Sequence, residues 1–381
     1  MTPQSGSPHP IVAAHAERLV SLDVFRGITI AGMILVNNPG SWSHVYRPLQ
    51  HAEWHGWTPT DLIFPFFLFI VGVAITLSLP KRLARGDSRR ALFAQIVQRT
   101  LILFALGLLL NGFPFYDLSK IRIPGVLQRI ALCYFFASLI FMWTKLKGQV
   151  MFTVALLILY WLLMTLVPVP GYGAGVLEQE GNLAAYVDYR LLRGHLWKPT
   201  WDPEGLLSTI PAIATTLCGV LTGYWLKAAR SVSEKTRGLL LAGLAGVLMG
   251  QLMDVWFPIN KNLWTSSYVV FTAGMALLCL GACVWFVDGL GYRRLVTPFV
   301  MYGVNPIIVF VLSGLLGRLM VIYKLTQPDG SSVSFKTYVY EHFFASWAGP
   351  MNGSLLFAIA YVIAWLIPLA ILYRKKIFIK I

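Results

Sequence analysis

The chain has 381 residues, 57% of them hydrophobic and 12% charged, and a mean hydropathy of +0.66. A water-soluble domain carries about 25% charged residues, so the composition excludes one and points to a chain lying mostly in hydrocarbon. The formal charge of +15 fits basic loops on the cytoplasmic side of a membrane. With no Lys/Arg run interleaved with stacking aromatics, it does not point to nucleic acid.

Residues 1–18 are polar and lack an apolar run followed by a small-residue cleavage site. They read as a mobile tail rather than a signal peptide, and residues 19–381 read as one transmembrane domain. Ten apolar stretches reach membrane-spanning length: 20–37, 61–79, 94–112, 123–143, 150–168, 206–226, 237–257, 265–287, 295–322 and 354–373. With the N-terminus in the cytoplasm and each stretch reversing direction, the basic residues divide two to one in favour of the cytoplasmic side. The loop holding Lys81, Arg82, Arg85, Arg89 and Arg90 is one contributor; the opposite loop before span 8 has Lys261 alone. The expected architecture is therefore all-α and polytopic, with about ten transmembrane helices and both termini cytoplasmic. The long loops 38–60, 169–205 and 323–353 fall on the outer side. They are rich in Gly, Pro, Trp and His, which makes the outer face the expected place for a substrate site.

Several polar residues need a reason to be where they are. Asp23 and Arg26 sit three apart at the start of span 1 and can pair on one helix face; an anion site near the cytoplasm is the alternative. Span 1 ends Asn37-Asn38-Pro39, which leaves two amides at its outer end, either to cap the helix or to orient a reactive group. Arg99 and Arg129 lie inside spans 3 and 4, where a charge faces a structural partner or a wet cavity. His51 and His55 are four apart, but HxExH is not a metalloprotease order and no third ligand is evident, so no metal is expected. Asp61 stands where it can favour the start of span 2 or orient an imidazole. Before span 8, Asn260, Lys261, Asn262 and Trp264 combine amides with an aromatic face, as a sugar site requires; the alternative is a polar turn beside an interfacial Trp. Cys133, Cys218, Cys279 and Cys283 fall in apolar stretches without CxxC spacing and are expected as buried thiols. The glycine pairs Gly219/Gly223 and Gly246/Gly250 allow close helix approach, within the chain or in a homodimer.

The runs Leu22–Gly27, Val36-Asn37, His51–Thr58, Asp61–Pro65, Arg122–Arg129 and Pro258–Ser267, in that order, resemble blocks of the transmembrane acyltransferase superfamily. That family includes lysosomal heparan-α-glucosaminide N-acetyltransferase and bacterial relatives. The resemblance implies acetyl transfer from cytoplasmic acetyl-CoA, across a lipid bilayer, to the amine of a glucosamine-type amino sugar. It implies His51 as the catalytic histidine, acting as general base or as an acetyl-carrying nucleophile, with Asn37 as its partner. On this scheme Asp61 orients His51, while Arg26, Arg99 and Arg129 meet the anionic acetyl-CoA. Asn260, Lys261, Asn262 and Trp264 hold the sugar. Some bacterial relatives are associated with N-acetylglucosamine, so the alternative is an inner-membrane transporter of such a sugar.

Overall fold

The computed structural model describes residues 19–327 and 330–379; the tail expected at 1–18 lies outside them. The first half of the bundle comprises α1 (Val20–Asn37), α2 (Ile63–Ala84), α3 (Arg89–Gly112), α4 (Val126–Trp143) and α5 (Leu146–Leu166). A short helix, α6 (Leu183–Leu192), interrupts the next loop, followed by α7 (Thr209–Lys227), α8 (Val232–Asp254) and α9 (Ser266–Cys283). Then come α10 (Thr297–Val304), α11 (Pro306–Ile322), a hairpin of β1 (Lys324–Thr326) and β2 (Ser332–Ser334), α12 (Phe335–Tyr340), the single turn α13 (Ser346–Ala348) and α14 (Pro350–Arg374). Among the described residues, nine helices are long and apolar enough to cross a membrane, and the bent pair α10–α11 makes a tenth. The chain is a multi-pass, all-α membrane protein.

Local chemistry fixes many of the helix ends. Ser88 accepts from the Ala91 N–H, and Ser231 with Glu234 forms a capping box at the start of α8. Thr265 caps α9, and proline opens α10, α11 and α14.

One expected span is not straight. The stretch 295–322 divides into α10 and α11, which meet at 85°. The break falls at Asn305, immediately before Pro306. A residue preceding proline is pushed out of helical backbone, and proline itself brings no N–H to the preceding turn. Asn305 is fully buried, and its amide ties the break to the segment after α14: Nδ2 donates to the Ile377 carbonyl at 3.1 Å and Oδ1 accepts from the Ile379 N–H at 2.9 Å.

Helices α2 and α7 form the centre, each burying 72% of its apolar window, whereas α3, α5, α8 and α14 bury only 22% and present the rest to lipid. Glycine permits the central crossing. A Cβ on Gly72 would lie 1.8 Å from the Thr216 carbonyl oxygen, and one on Gly219 would lie 1.9 Å from that of Phe69. The other small residues singled out in the sequence also face neighbours within the chain: Gly223 meets Thr76, Gly246 meets Gly274 and Gly250 meets Phe271. Close backbone approach of this kind is how helices associate in lipid, where no hydrophobic force draws them together.

Candidate active site

At one end of the bundle the loops 38–58, 113–125, 193–208 and 255–265 converge over a cavity of about 340 Å³. The opposite end carries the basic loop around Lys81 and Arg82. The cavity has two chemically distinct parts. Its mouth is polar and aromatic, with His51, Arg122, Trp197, Glu204, Lys261 and Asn262; its floor is apolar, from Ile30 and Met33 of α1 and Phe67 of α2 to Ile307 and Phe310 in the first turns of α11. Asn37, the last residue of α1, lines the same cavity and is exposed into it. The two amides at the end of α1 have divided their work: Asn38 is buried and caps the helix through Nδ2 to the Ile34 carbonyl at 2.8 Å.

His51 is held by Asp61. Its Nδ1 lies 2.6 Å from Asp61 Oδ1, and the carboxylate is only 1% exposed while the imidazole is 53% exposed. The other carboxylate oxygen accepts from the Ala52 N–H and the Thr58 N–H, both at 3.0 Å, and from Thr58 Oγ1 at 3.1 Å. Asp61 thus performs both tasks its position suggested: it closes a capping box at the turn before α2 and it orients an imidazole. With Asp61 ionised, Nδ1 carries the hydrogen and Nε2 is left with its lone pair, the tautomer a general base needs.

Lys261 completes the cluster. Its Nζ is 3.0 Å from His51 Nδ1, 3.2 Å from Nε2 and 3.5 Å from Asp61 Oδ1. A point nearly equidistant from both ring nitrogens lies along neither in-plane lone-pair axis, so the amine sits against the ring rather than hydrogen-bonded in its plane. Burial lowers the Lys261 pKa below the ordinary lysine value, while the Asp61 charge works against that fall.

Residues 197–208 form a roof along one side of the cavity, pinned from three sides. Arg122 grips Asp202 with two bonds, Nε to Oδ2 at 2.8 Å and Nη2 to Oδ1 at 2.6 Å, and also bonds Glu204. Burial alone would lower the Arg122 pKa, but the two carboxylates hold it above the ordinary value. Arg129 donates to the Pro203 carbonyl at 2.9 Å, to the Gly205 carbonyl at 3.0 Å and to Ser208 Oγ. Asp188 of α6 accepts from the Leu206 N–H at 2.8 Å, and burial pushes its carboxyl up to about 7.

Of the residues the sequence singled out, the fold brings Asn37, His51, Asp61, Lys261 and Asn262 together. It sets others apart from the cavity wall. Asn260 is fully buried; its Oδ1 accepts from the Leu263 N–H and its Nδ2 faces His55 at 3.3 Å, fastening this loop to the one before α2. Trp264 is equally buried, with Nε1 donating to Thr215 Oγ1 at 3.1 Å and its ring 5.0 Å from the Arg129 guanidinium. Arg26 bonds Asp23 and the Gly303 carbonyl, both at 3.0 Å, and Arg99 lies 4.6 Å over the Tyr134 ring. His55 and His51 take different partners: His55 Nε2 is 3.7 Å from Glu178. Sequence reasoning passed over Arg122, Trp197, Trp201 and Glu204 as site residues. The available signal was the run from Trp197 to Glu204, which puts two tryptophans and two acids in eight residues of a loop.

The family model for the catalytic part of heparan-α-glucosaminide N-acetyltransferase matches residues 18–252. The chain belongs to this family. The mouse and human proteins named heparan-α-glucosaminide N-acetyltransferase are each 31% identical to it, over 96% and 97% of this chain respectively and 61% of each relative. The chain therefore spans about three fifths of the length of these curated relatives. Within the heparan-α-glucosaminide N-acetyltransferase match lie Asn37, His51, Asp61, Arg122, Arg129 and the whole roof; Lys261, Asn262 and the α11 part of the floor lie beyond it.

Proposed function

We propose that this protein is a transmembrane N-acetyltransferase that moves acetyl from cytoplasmic acetyl-CoA to the amine of a glucosamine-type amino sugar on the outer face of a bacterial inner membrane. The observation that carries the reading is the 2.6 Å His51–Asp61 hydrogen bond at the mouth of a cavity that Asn37 also lines. The basic end of the bundle faces the cytoplasm, as positive loops do, and the His51 end faces out. Arg26, at the start of α1, is on the side from which the anionic nucleotide arrives. The apolar floor suits the slender pantetheine arm, whose thioester would reach His51 from below. It does not suit a polar path for a sugar, which argues against transport.

In the reaction, His51 Nε2 takes a proton from the acceptor ammonium or its attacking amine, and Asp61 stabilises the imidazolium that forms. The amine nitrogen adds to the thioester carbonyl. The Asn37 amide donates to the developing oxyanion, an interaction worth about 3 kcal/mol in comparable sites. Collapse breaks the C–S bond, and the thiolate leaves with a proton returned by His51. Lys261, Asn262 and the faces of Trp197 and Trp201 surround the sugar. Purified protein is expected to acetylate glucosamine with acetyl-CoA, and His51→Ala to abolish turnover in a chain that still folds; turnover retained in His51→Ala removes His51 from the mechanism. Orientation is checked separately. A cysteine replacing Glu178 should react with an impermeant thiol reagent on intact cells and one replacing Asp87 should not; the reverse pattern inverts the topology.

A further inference from the structure

A general base acts on an amine within about 2.6–3.2 Å. The cavity already holds one at that distance: Lys261 Nζ lies 3.2 Å from His51 Nε2, against the ring face, inside the same mouth that Asn37 lines, and a turn about the last bonds of the lysine side chain would bring it onto the in-plane Nε2 lone pair. The Lys261 side chain is only 16% exposed, so it is directed into the site rather than into bulk water. Lys336 is also buried, but its Nζ faces the Trp42 and Phe357 rings at 5.9 and 6.0 Å; Lys81 and Lys120 are exposed.

We propose that Lys261 is itself an acyl acceptor, so that with donor bound and the sugar absent the site acetylates its own lysine. The inference rests on the acyltransferase reading above, with acetyl-CoA as the thioester. His51 Nε2 removes a proton from the Lys261 ammonium, and the freed lone pair adds to the thioester carbonyl. The C–N bond forms, the C–S bond breaks, and the thiolate departs as free thiol with a proton from His51. One further proton is released to solvent. Burial, which lowers the Lys261 pKa, favours the first of these steps. The product is an amide, which is not an acyl donor to a second amine, so the modification is a sink and not an intermediate. It also removes the positive charge facing Asp61 and fills the mouth. Acetylated chains should lose sugar turnover, and sugar should protect Lys261 by competing for the same acyl group.

The test uses the full chain in lipid nanodiscs with isotope-labelled acetyl-CoA, with and without glucosamine. Peptide mass spectrometry reads the acetyl fraction at each lysine, and sugar acetylation is measured in the same samples. Lys261 should be acetylated at least tenfold faster than Lys81 and Lys120, more slowly when glucosamine is present, and at the background rate in His51→Ala. Without sugar, thiol release should show a burst approaching one equivalent per chain, which Lys261→Arg removes. Acetylation of Lys261 no faster than that of Lys120 overturns the inference, and sugar turnover in that sample leaves the enzymatic reading intact. Lys261 acetylation without sugar turnover upholds the inference and removes the sugar as acceptor. Neither signal removes both.

Discussion

Asp61→Asn separates what this carboxylate does for the fold from what it does for His51. The substitution keeps size and shape. Oδ2 accepts three hydrogen bonds, from Ala52 N, Thr58 N and Thr58 Oγ1, while Oδ1 takes the 2.6 Å contact with His51 Nδ1. An asparagine satisfies the three-bond side best with its carbonyl oxygen there, which turns its NH₂ toward His51. The imidazole must then present its Nδ1 lone pair and carry its hydrogen on Nε2, the tautomer that cannot take a proton from the acceptor. The same misorientation costs a serine protease about 10⁴ in kcat, and a positioned base contributes about 10²–10⁴ overall. We therefore expect kcat to fall by about 10²–10⁴, equivalent to about 3–5 kcal/mol, with KM little changed. Loss of capping strength should cost only about 1 kcal/mol of stability. The assay is acetyl transfer to glucosamine at saturating acetyl-CoA, with thermal unfolding of the same preparation. A folded Asp61→Asn protein with kcat within threefold of the parent refutes the reasoning, because His51 would then not depend on Asp61 for its tautomer.

Two further outcomes follow from the roof and the central crossing. Asp188 has its pKa raised from 3.8 to about 7 by burial, so the folded chain keeps a proton that the unfolded chain has lost. This carboxyl's contribution to stability is present below about pH 4 and is lost as the pH rises through 7, a difference of at most about 4 kcal/mol. Asp188→Asn, which can still accept from the Leu206 N–H, should flatten the fall in unfolding temperature between pH 5 and pH 8; an unchanged slope rules Asp188 out as its source. Gly219→Val, which forces α2 and α7 apart at the Phe69 carbonyl, should destabilise by about 3 kcal/mol or more. Gly314→Ala, whose Cβ meets only Leu110 at 3.8 Å, should be neutral or slightly stabilising. Equal unfolding temperatures for the two glycine variants would contradict the close crossing.

The fold was legible because hydrocarbon imposes a simple rule on sequence: a spanning segment must be long and apolar. Ten such stretches are plain, and each lies where a spanning helix or the bent pair occurs. The break in 295–322 was foreshadowed by Asn305-Pro306, but apolar length conceals a change of direction, and proline in a membrane helix does not always end it. At the site, His51, Asn37 and Asp61 stood out because polar groups at the ends of apolar runs are conspicuous. Arg129 was conspicuous for the same reason, and its partners could not be read. Two of the three are backbone carbonyls some 75 residues away, and a carbonyl has no letter in the sequence. Asn260 and Trp264 show the reverse problem. Their types suit a sugar, yet the same amide and indole groups serve equally well to tie one loop to another, and only the fold distinguishes the two uses.

The division of the cavity into a polar mouth and an apolar floor bears on a property other than acyl transfer. Any protein that passes a reactive group through a bilayer risks short-circuiting the proton gradient across it. Here every charged or titratable wall residue, His51, Arg122, Glu204 and Lys261, is at the mouth, and from Ile30 down to Ile307 the wall offers an ion nothing to coordinate. Moving a bare charge into such surroundings costs several kcal/mol even after relaxation. A floor able to accommodate a pantetheine arm would thus also act as an insulator against proton leak.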